Sequence, residues 1–458
     1  MSDGRALLVV GGGPAGMAAA RAASAAGLRV TLVDESNRLG GQYFRGRQDS
    51  REPGSPHAFA AAATGVRVLL GTVVVDAPRA GALTVWNQAS DHVEEIAHDR
   101  LVLATGAYDR PVAIPGWTLP GVVTAGGAST LAKAHGVAPG KRLLVAGSGP
   151  FLLSVADDLS AKGCMVEIIE ASPWRASASG LGVIAMDAEI ARQTAGYLAR
   201  LATRRVRRRY GTMVTAIHGT DRVEAATVEQ VDRDWRPISG TARMISVDGV
   251  CLGYGFVPQL ELAQAIGCAL ERDDVSANYF VRVDAGMRTS TSEVYAAGEI
   301  TGLGGKRVAL AQGEGAGLTA ALDAGALDRA NYDVRIAPVI ARLRQVDRVA
   351  DWIRRAFVPR DGLWSCATPE TTLCRCEDIT HRAAEAGLAG NPPTPYAVKT
   401  ATRAGMGLCQ GRICSPILTE WLRVRHGYQP PSEERPWRIR PPLRPVPLGA
   451  WPAHEANP

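Results

Sequence analysis

Four cysteines toward the C-terminal end of this 458-residue chain stand at spacings that suit a metal cofactor. They form two close pairs, Cys374-x-Cys376 and Cys409-x4-Cys414. Four thiolates can hold a [2Fe–2S] cluster, and three glycines around the second pair let backbone N–H groups approach the sulfurs. Zinc is the alternative, although structural zinc sites usually separate paired ligands by about two to four residues. Thiols without a metal are the third interpretation.

Charged residues of the same segment are suited to offset the charge of a cluster. They are Arg375, Lys399, Arg403 and Arg412. The other four cysteines are scattered, and we expect them to be small buried hydrophobic residues. They are Cys164, Cys251, Cys268 and Cys366.

A glycine-rich turn near the N-terminus has the context of a dinucleotide-binding unit. The apolar run Ala6–Val10 leads into Gly11-Gly12-Gly13-Pro14-Ala15-Gly16, a helix follows, and a second apolar run ends in Asp34-Glu35. In such a unit the first glycine allows a tight turn, the second admits a pyrophosphate, and the third lets helix and strand pack closely. Asp34 is the predicted acceptor for ribose hydroxyls. Gly41 and Gln42 follow shortly after.

A second unit repeats this pattern with one departure. The run Lys141–Ala146 leads into Gly147-Ser148-Gly149, and Glu170 ends the next apolar run at the spacing of Asp34 in the first unit. Leu152 stands where the third glycine belongs, so the helix cannot pack as closely. This unit is predicted to bind NAD(P), another nucleotide, or nothing.

Length and composition bound the remaining options. A chain of 458 residues suggests about three folding units, and 46% hydrophobic with 21% charged residues is typical of globular proteins. The net charge of +6 is mild, and the arginine-rich run 200–209 has no aromatic platform, so no nucleic-acid partner is expected. The start of the chain does not read as a signal peptide, and prolines and glycines interrupt the uncharged stretch Pro111–Ala132. We therefore expect a cytoplasmic protein with no integral membrane segment.

Residues 5–325 resemble the flavoprotein reductases that contain two dinucleotide-binding domains. The resemblance rests on the two glycine turns, on Ala104-Thr105-Gly106, and on Tyr295-Ala296-Ala297-Gly298-Glu299. It implies FAD on the first unit, with Thr105, Gly106, Gly298 and Glu299 beside it. The usual acid at the last position is Asp, so Glu299 is a departure. No cysteine pair lies at residues 35–50 or in the second unit, which argues against a dithiol relay.

A narrower resemblance comes from Cys251–Pro258 and Ala297–Gly302. Both stretches are similar to the α subunits of opine oxidases, D-hydroxyproline dehydrogenases and hydrogen cyanide synthases. In that group a separate β subunit, related to D-amino-acid and glycine oxidases, oxidises a carbon–nitrogen bond. The cysteine segment resembles the [2Fe–2S] module of bacterioferritin-associated ferredoxin. The resemblance also implies a small ferredoxin-like component, which we expect to be another polypeptide.

These observations predict an α/β fold with two Rossmann-like dinucleotide-binding domains and a small helical iron–sulfur module. The predicted divisions are a FAD domain at 1–115 and 280–325, a second nucleotide domain at 116–279, a helical connector at 326–366, the cluster module at 367–425 and a Pro- and Arg-rich tail at 426–458. The tail is expected to be an arm on a partner or a mobile end.

The predicted function is that of a FAD- and [2Fe–2S]-containing electron-transfer subunit of a heteromeric amine or imino-acid dehydrogenase. In this function the chain itself carries no catalytic residue for substrate oxidation, because its cofactors carry the chemistry. The alternatives are a self-contained NAD(P)H-dependent reductase and a non-catalytic nucleotide-binding scaffold.

Overall fold

The computed structural model describes residues 4–46, 50–433, 435 and 437–451. The strands of these residues are β1 Ala6–Val10, β2 Arg29–Val33, β3 Arg67–Leu69, β4 Thr72–Arg79, β5 Ala82–Asn87, β6 His92–Ala97, β7 Arg100–Leu103, β8 Ala107–Asp109, β9 Val122–Thr124, β10 Arg142–Gly147, β11 Met165–Glu170, β12 Arg207–Tyr210, β13 Thr212–His218, β14 Ala225–Gln230, β15 Arg243–Ser246, β16 Gly249–Gly253, β17 Phe256–Pro258, β18 Leu270–Asp273, β19 Asn278–Val281, β20 Val294–Ala296, β21 Thr372–Cys374 and β22 Ile379–Thr380.

The α-helices are α1 Pro14–Ser24, α2 Gly41–Phe44, α3 Pro56–Ala62, α4 Ala125–Thr130, α5 Phe151–Ser160, α6 Trp174–Ala178, α7 Leu181–Ala185, α8 Ala188–Thr203, α9 Glu261–Ile266, α10 Gly305–Asp323, α11 Arg329–Ala356, α12 Asp361–Trp364, α13 His381–Gly387, α14 Pro395–Thr402 and α15 Cys414–His426. A π-helical turn at Leu131–His135 continues α4, and a 3₁₀ turn covers Leu448–Ala450.

Two parallel sheets organise the fold. The first has the strand order β20-β7-β1-β2-β3 and the second the order β12-β11-β10-β16-β9. Their central strands are continuous apolar runs, as expected for strands covered on both faces. The predicted α/β class with two Rossmann-like sheets is confirmed. The first sheet takes its edge strand β20 from residues that follow the whole second sheet in the chain.

Helices α1 and α10 pack closely on the first sheet, and this contact positions the start of α10. A Cβ at Gly313 would collide with the carbonyl oxygen of Ala15, and one at Gly317 with that of Ala19. Glycine at these two positions, one helical turn apart, therefore lets the two backbones approach. As a result, the N-termini of α1 and α10 lie at the same end of the sheet.

The C-terminal part of the chain packs on the second unit. Cys374, Cys414 and Trp437 belong to the same buried cluster as Trp117 and Leu144. The described part of the tail packs on the chain itself, where Trp437, Leu443 and Ala450 are buried.

Within the described ranges, none of the helices combines the length and the apolar character needed to span a membrane.

Candidate cofactor cleft and cysteine module

One cleft of about 1240 Å³ runs from the first glycine turn to the second. Most of the predicted cofactor residues line it. They are Gly11, Gly13, Pro14, Ala15, Asp34, Glu35, Gly41, Gln42, Thr105, Gly106, Gly149, Gly298 and Glu299. Gly16, Gly147 and Glu170 lie beneath the turns instead, outside this lining.

The three glycines of the first turn differ in what surrounds them: Gly11 and Gly16 are packed against backbone atoms, and Gly13 faces open space. A Cβ at Gly11 would collide with the carbonyl oxygen of Ala104, and a Cβ at Gly16 with that of Gly11. At Gly13 the nearest atom to such a Cβ is the Cα of Gly41, 3.8 Å away, so this face is open. Gly13 is also the N-cap of α1 and no side chain caps the helix. The turn therefore leaves an open, uncapped helix N-terminus, a position suited to a phosphate group.

The two acids at the end of β2 take separate positions. The carboxylate of Asp34 accepts hydrogen bonds from the backbone N–H groups of Gly12, at 2.5 Å, and Ser36, at 2.7 Å. Asp34, which the sequence predicts as the acceptor for ribose hydroxyls, therefore stabilises the glycine turn through these two bonds. The side chain of Glu35 is 55% exposed and lines the cleft. Glu35 is therefore the carboxylate that a ribose can reach.

The opposite wall holds the predicted flavin-side residues in place. The hydroxyl of Thr105 donates to the carbonyl oxygen of Gln259 at 2.7 Å, and Gln259 N–H donates to the Gly106 carbonyl at 2.9 Å. The N–H of Gly298 donates to Gln312 Oε1 at 2.9 Å. These bonds fix both turns from behind and leave their front faces toward the cleft.

Glu299 caps the start of α10. Its carboxylate accepts from the N–H of Gly305 at 2.7 Å, and burial raises its pKa to about 7. Lys306 follows in the first turn of α10, pairs with Glu52 at 2.9 Å and lies over the ring of Tyr43.

The second unit is built like the first but faces a more crowded space. Glu170 accepts from the N–H groups of Gly149 and Ser172, both at 3.0 Å, and is fully buried. It therefore matches Asp34 in position and is not available to a nucleotide. The residue that matches Glu35 is Ala171, which has no polar side chain. Phe357, just after α11, lies against Gly149.

The structure brings the four predicted cluster cysteines together in two pairs. The Cys374 side chain lies beside that of Cys414, and the Cys376 side chain lies beside that of Cys409. The neighbouring Cys414 thiol, together with backbone N–H groups that include the one of Gly405, lowers the pKa of Cys374 to about 5. The Cys374 thiolate and burial raise the pKa of Cys414. Two pairs fit a cluster of two irons, each of which takes two thiolates.

A single-ion site is not preformed. Among residues 4–46, 50–433, 435 and 437–451, no three His, Cys, Asp or Glu side chains are grouped to hold one metal ion. Cys374 and Cys414 are buried, Cys409 is partly buried, and Cys376 is exposed. Of the scattered cysteines, Cys251 and Cys268 are buried, while Cys164 and Cys366 are partly buried.

The predicted cations of the module have identifiable partners. Arg403 pairs with Glu377 at 3.0 Å, Arg412 with Glu261 at 3.6 Å, and Lys399 lies over the ring of Trp437. Arg375 lies over the ring of Trp117 and lines the cleft.

The cysteine module touches the cleft directly. Tyr108 lines the cleft, and its hydroxyl donates to the carbonyl oxygen of Arg412 at 2.9 Å. The N–H of Arg412 donates in turn to the carbonyl oxygen of Cys409 at 3.1 Å. Burial raises the pKa of Tyr108 to about 12, so the phenol remains a donor.

Several residues of the cleft were not predicted. Tyr108, Gln259, Lys306 and Arg444 all contribute side chains to its wall. Lys306 follows Gly304-Gly305 at a helix start, which is a signal for an anion site that the sequence offers. Tyr108 and Arg444 carry no such local signal, because long-range packing brings them to the cleft.

Comparisons with known proteins agree with this architecture. The family model described as pyridine nucleotide-disulphide oxidoreductase matches residues 5–336. An opine oxidase subunit of Agrobacterium tumefaciens (strain Ach5) is 31% identical over 98% of this chain and 91% of its own. Hydrogen cyanide synthase subunit HcnB of Pseudomonas protegens is 31% identical over 97% of each chain. The crystal structure of L-proline dehydrogenase from P. horikoshii has a TM-score of 0.66 at 19% identity, covering 97% of this chain and 78% of that one, so it supports the fold.

Proposed function

Because this chain belongs to the pyridine nucleotide-disulphide oxidoreductase family, we propose that it is an electron-transfer subunit of a heteromeric amine or imino-acid dehydrogenase. In this proposal it holds FAD in the cleft and a [2Fe–2S] cluster on Cys374, Cys376, Cys409 and Cys414. Its partner is a flavoprotein β subunit of the D-amino-acid or glycine oxidase type, which oxidises an opine, a hydroxyproline or glycine. A small ferredoxin-like subunit is a further proposed partner.

The contact between the cleft and the cysteine module is the observation that carries the proposal. Arg375, which separates the first two cysteines, lines the cleft, and Tyr108 bonds to the loop of the second pair. No cysteine is among the described residues that line the cleft. A flavin held here would therefore have no dithiol beside it among these residues, and the adjoining cysteine module would supply the next redox-active group.

When bound, FAD and the cluster would supply two-electron and one-electron transfer respectively. The residues of this chain bind and orient these groups. Gly13 and the open N-terminus of α1 receive the diphosphate, Glu35 accepts the ribose hydroxyls, and the Gly405 N–H bonds to a cysteine sulfur. Residues of the partner oxidise the substrate.

The second candidate is a self-contained NAD(P)H-dependent reductase. The family match favours it, and so does the second glycine turn, whose Gly149 reaches the cleft. The burial of Glu170, the lack of an acid at Ala171 and the position of Phe357 weaken it. A dinucleotide at this turn would lack the ribose contact that Glu35 offers in the first unit.

A first set of measurements on the purified chain tests its cofactor content. Iron and acid-labile sulfide are expected in equal amounts, together with FAD. Changing Cys409 to Ser is expected to remove the iron and sulfide and retain the flavin, whereas Cys164→Ser, a scattered cysteine, is expected to retain all three. Zinc in place of iron would refute the cluster.

Reduction assays then decide the direction of electron flow. NADH is expected not to bleach the flavin of the isolated chain, and bleaching would favour the self-contained reductase. Co-purified with its partner, the chain is expected to be reduced anaerobically by an opine, D-hydroxyproline or glycine. Protein without flavin and iron would favour the non-catalytic scaffold.

A further inference from the structure

The proline-rich C-terminal tail lies on the body of its own chain. Trp437, Leu443 and Ala450 are at most 3% exposed. The N–H of Leu443 donates to the carbonyl oxygen of Val75 at 2.6 Å. Regular secondary structure is not required for this binding, since side chains and single backbone bonds hold the tail.

The tail connects the cysteine module with the FAD cleft. At one end Trp437 fills the space above Gly405 and Gly411, where a Cβ at either glycine would collide with its indole ring. Gln410 donates to the carbonyl oxygen of Pro442 at 2.7 Å, and Arg412 donates to that of Leu443. Arg444 follows immediately and lines the cleft.

The side chain of Arg444 spans the two walls of the cleft. Its Nη2 donates to Gln259 Oε1 at 2.6 Å, and Gln259 holds the Thr105–Gly106 turn. Its Nε lies 3.6 Å from Glu35 Oε2, the carboxylate assigned to the ribose. The guanidinium therefore sits between the adenosine side and the flavin side of the proposed FAD site.

Among the residues that the structure describes, the charge of Arg444 is only partly neutralised. Lys306 is paired with Glu52 at 2.9 Å, whereas the contact of Arg444 with Glu35 is longer. A guanidinium has five N–H donors, and the two contacts of Arg444 leave most of them for a ligand. The diphosphate of FAD is the anion that this cleft would receive.

We propose that Arg444 binds the ADP part of FAD, so that the C-terminal tail forms one wall of the FAD site. This inference rests on the proposed FAD cleft. It assigns to the tail a ligand-binding role within the same chain, separate from any contact with a partner.

The test is a titration of the deflavinated full-length protein with FAD and, separately, with FMN, which lacks the adenosine half. Arg444→Ala is expected to weaken FAD binding at least tenfold and to change FMN binding less than twofold. Arg444→Lys, which keeps the charge, is expected to restore part of the loss. Arg440→Ala removes an exposed arginine of the same tail and is expected to bind FAD like the wild type.

The outcomes distinguish this inference from the proposed function. Wild-type protein that binds no FAD would overturn both. If the wild type binds FAD and Arg444→Ala binds it with the same affinity, only the role of Arg444 is overturned. An equal loss of affinity for FAD and FMN in Arg444→Ala would also overturn that role, because it indicates general damage to the site. Iron content and the thermal melt of each variant report on folding. If Arg444→Ala does not fold, an Arg444→Gln protein that folds but binds FAD as tightly as the wild type, with the same salt dependence, would overturn the contact.

Discussion

Replacing Glu299 by glutamine is expected to remove a pH dependence from the stability of the FAD-free protein. Burial raises the pKa of Glu299 from 4.5 to about 7, against the opposing effect of hydrogen bonds from Gly305 and Gly304. A rise of this size corresponds to about 3 kcal/mol in favour of the neutral carboxyl. Glutamine has nearly the same shape and keeps an oxygen for the N–H of Gly305.

The direction of the effect follows from the two pKa values. The folded-state pKa lies above that of the unfolded chain, so the folded protein carries no penalty below a pH of about 4.5. As the pH rises from about 4.5 to about 7, the unfolded chain releases a proton that the folded protein retains, and stability falls. The loss is complete above the folded-state pKa and is absent in Glu299→Gln.

Urea unfolding of the FAD-free proteins at about pH 5 and about pH 8 measures the effect. The Gln variant is expected to gain up to about 3 kcal/mol relative to the wild type between these two conditions. Glu271→Gln, at an exposed carboxyl, is the control and is expected to follow the wild type. Parallel stability curves for the wild type and Glu299→Gln would refute the raised pKa of the Glu299 carboxyl.

Three further predictions concern the cleft and the module. Gly13→Ala is expected to fold normally and to lose FAD affinity, because its Cβ would enter the open space assigned to the phosphates. Gly16→Ala is expected to disrupt the turn itself, because its Cβ would collide with the carbonyl oxygen of Gly11. Circular dichroism reports on folding and a titration with FAD reports on affinity, so the two measurements separate the variants. Glu420→Gln breaks a buried ion pair with Arg272 and is expected to destabilise the protein by about 3 kcal/mol in urea unfolding, whereas Asp274→Asn, at the exposed partner of the same arginine, is expected to change little. Gly411→Ala places a Cβ against Trp437 at a positive φ of 83° and is expected to lower the iron content; Gly427→Ala, at φ 67° with open space around it, is the control, and equal iron in both would contradict the packing argument.

Local patterns predicted the regular elements of the first unit well. The apolar run at residues 6–10 and the glycine turn correspond to β1 and the start of α1. The largely apolar run at residues 66–75 forms two strands, β3 and β4, because Gly71 at φ 59° breaks the chain between them. The predicted connector at 326–366 contains α11 and α12, and Gly325 at φ 67° separates it from α10.

The sequence predicts residues of the candidate site only where the residue type itself indicates the local geometry. Glycines at a turn and cysteines in close pairs meet that condition. Asp34 and Glu35 do not, because adjacent acids at a strand end differ only in the direction of their side chains. Glu170 was misplaced for the same reason, since nothing in the sequence distinguishes an acid beneath the turn from an acid in the cleft. The tail has no periodicity that predicts where it binds.

The position of Trp437 also sets an order of events during synthesis. The ribosome makes all four cysteines before it makes the indole that covers the glycines of their loop. Chains fold from the N-terminus as they emerge, so the cysteine loop is uncovered for a time while the rest of the fold is already in place. A metal is therefore expected to reach the four cysteines more easily before Trp437 packs on their loop than after it.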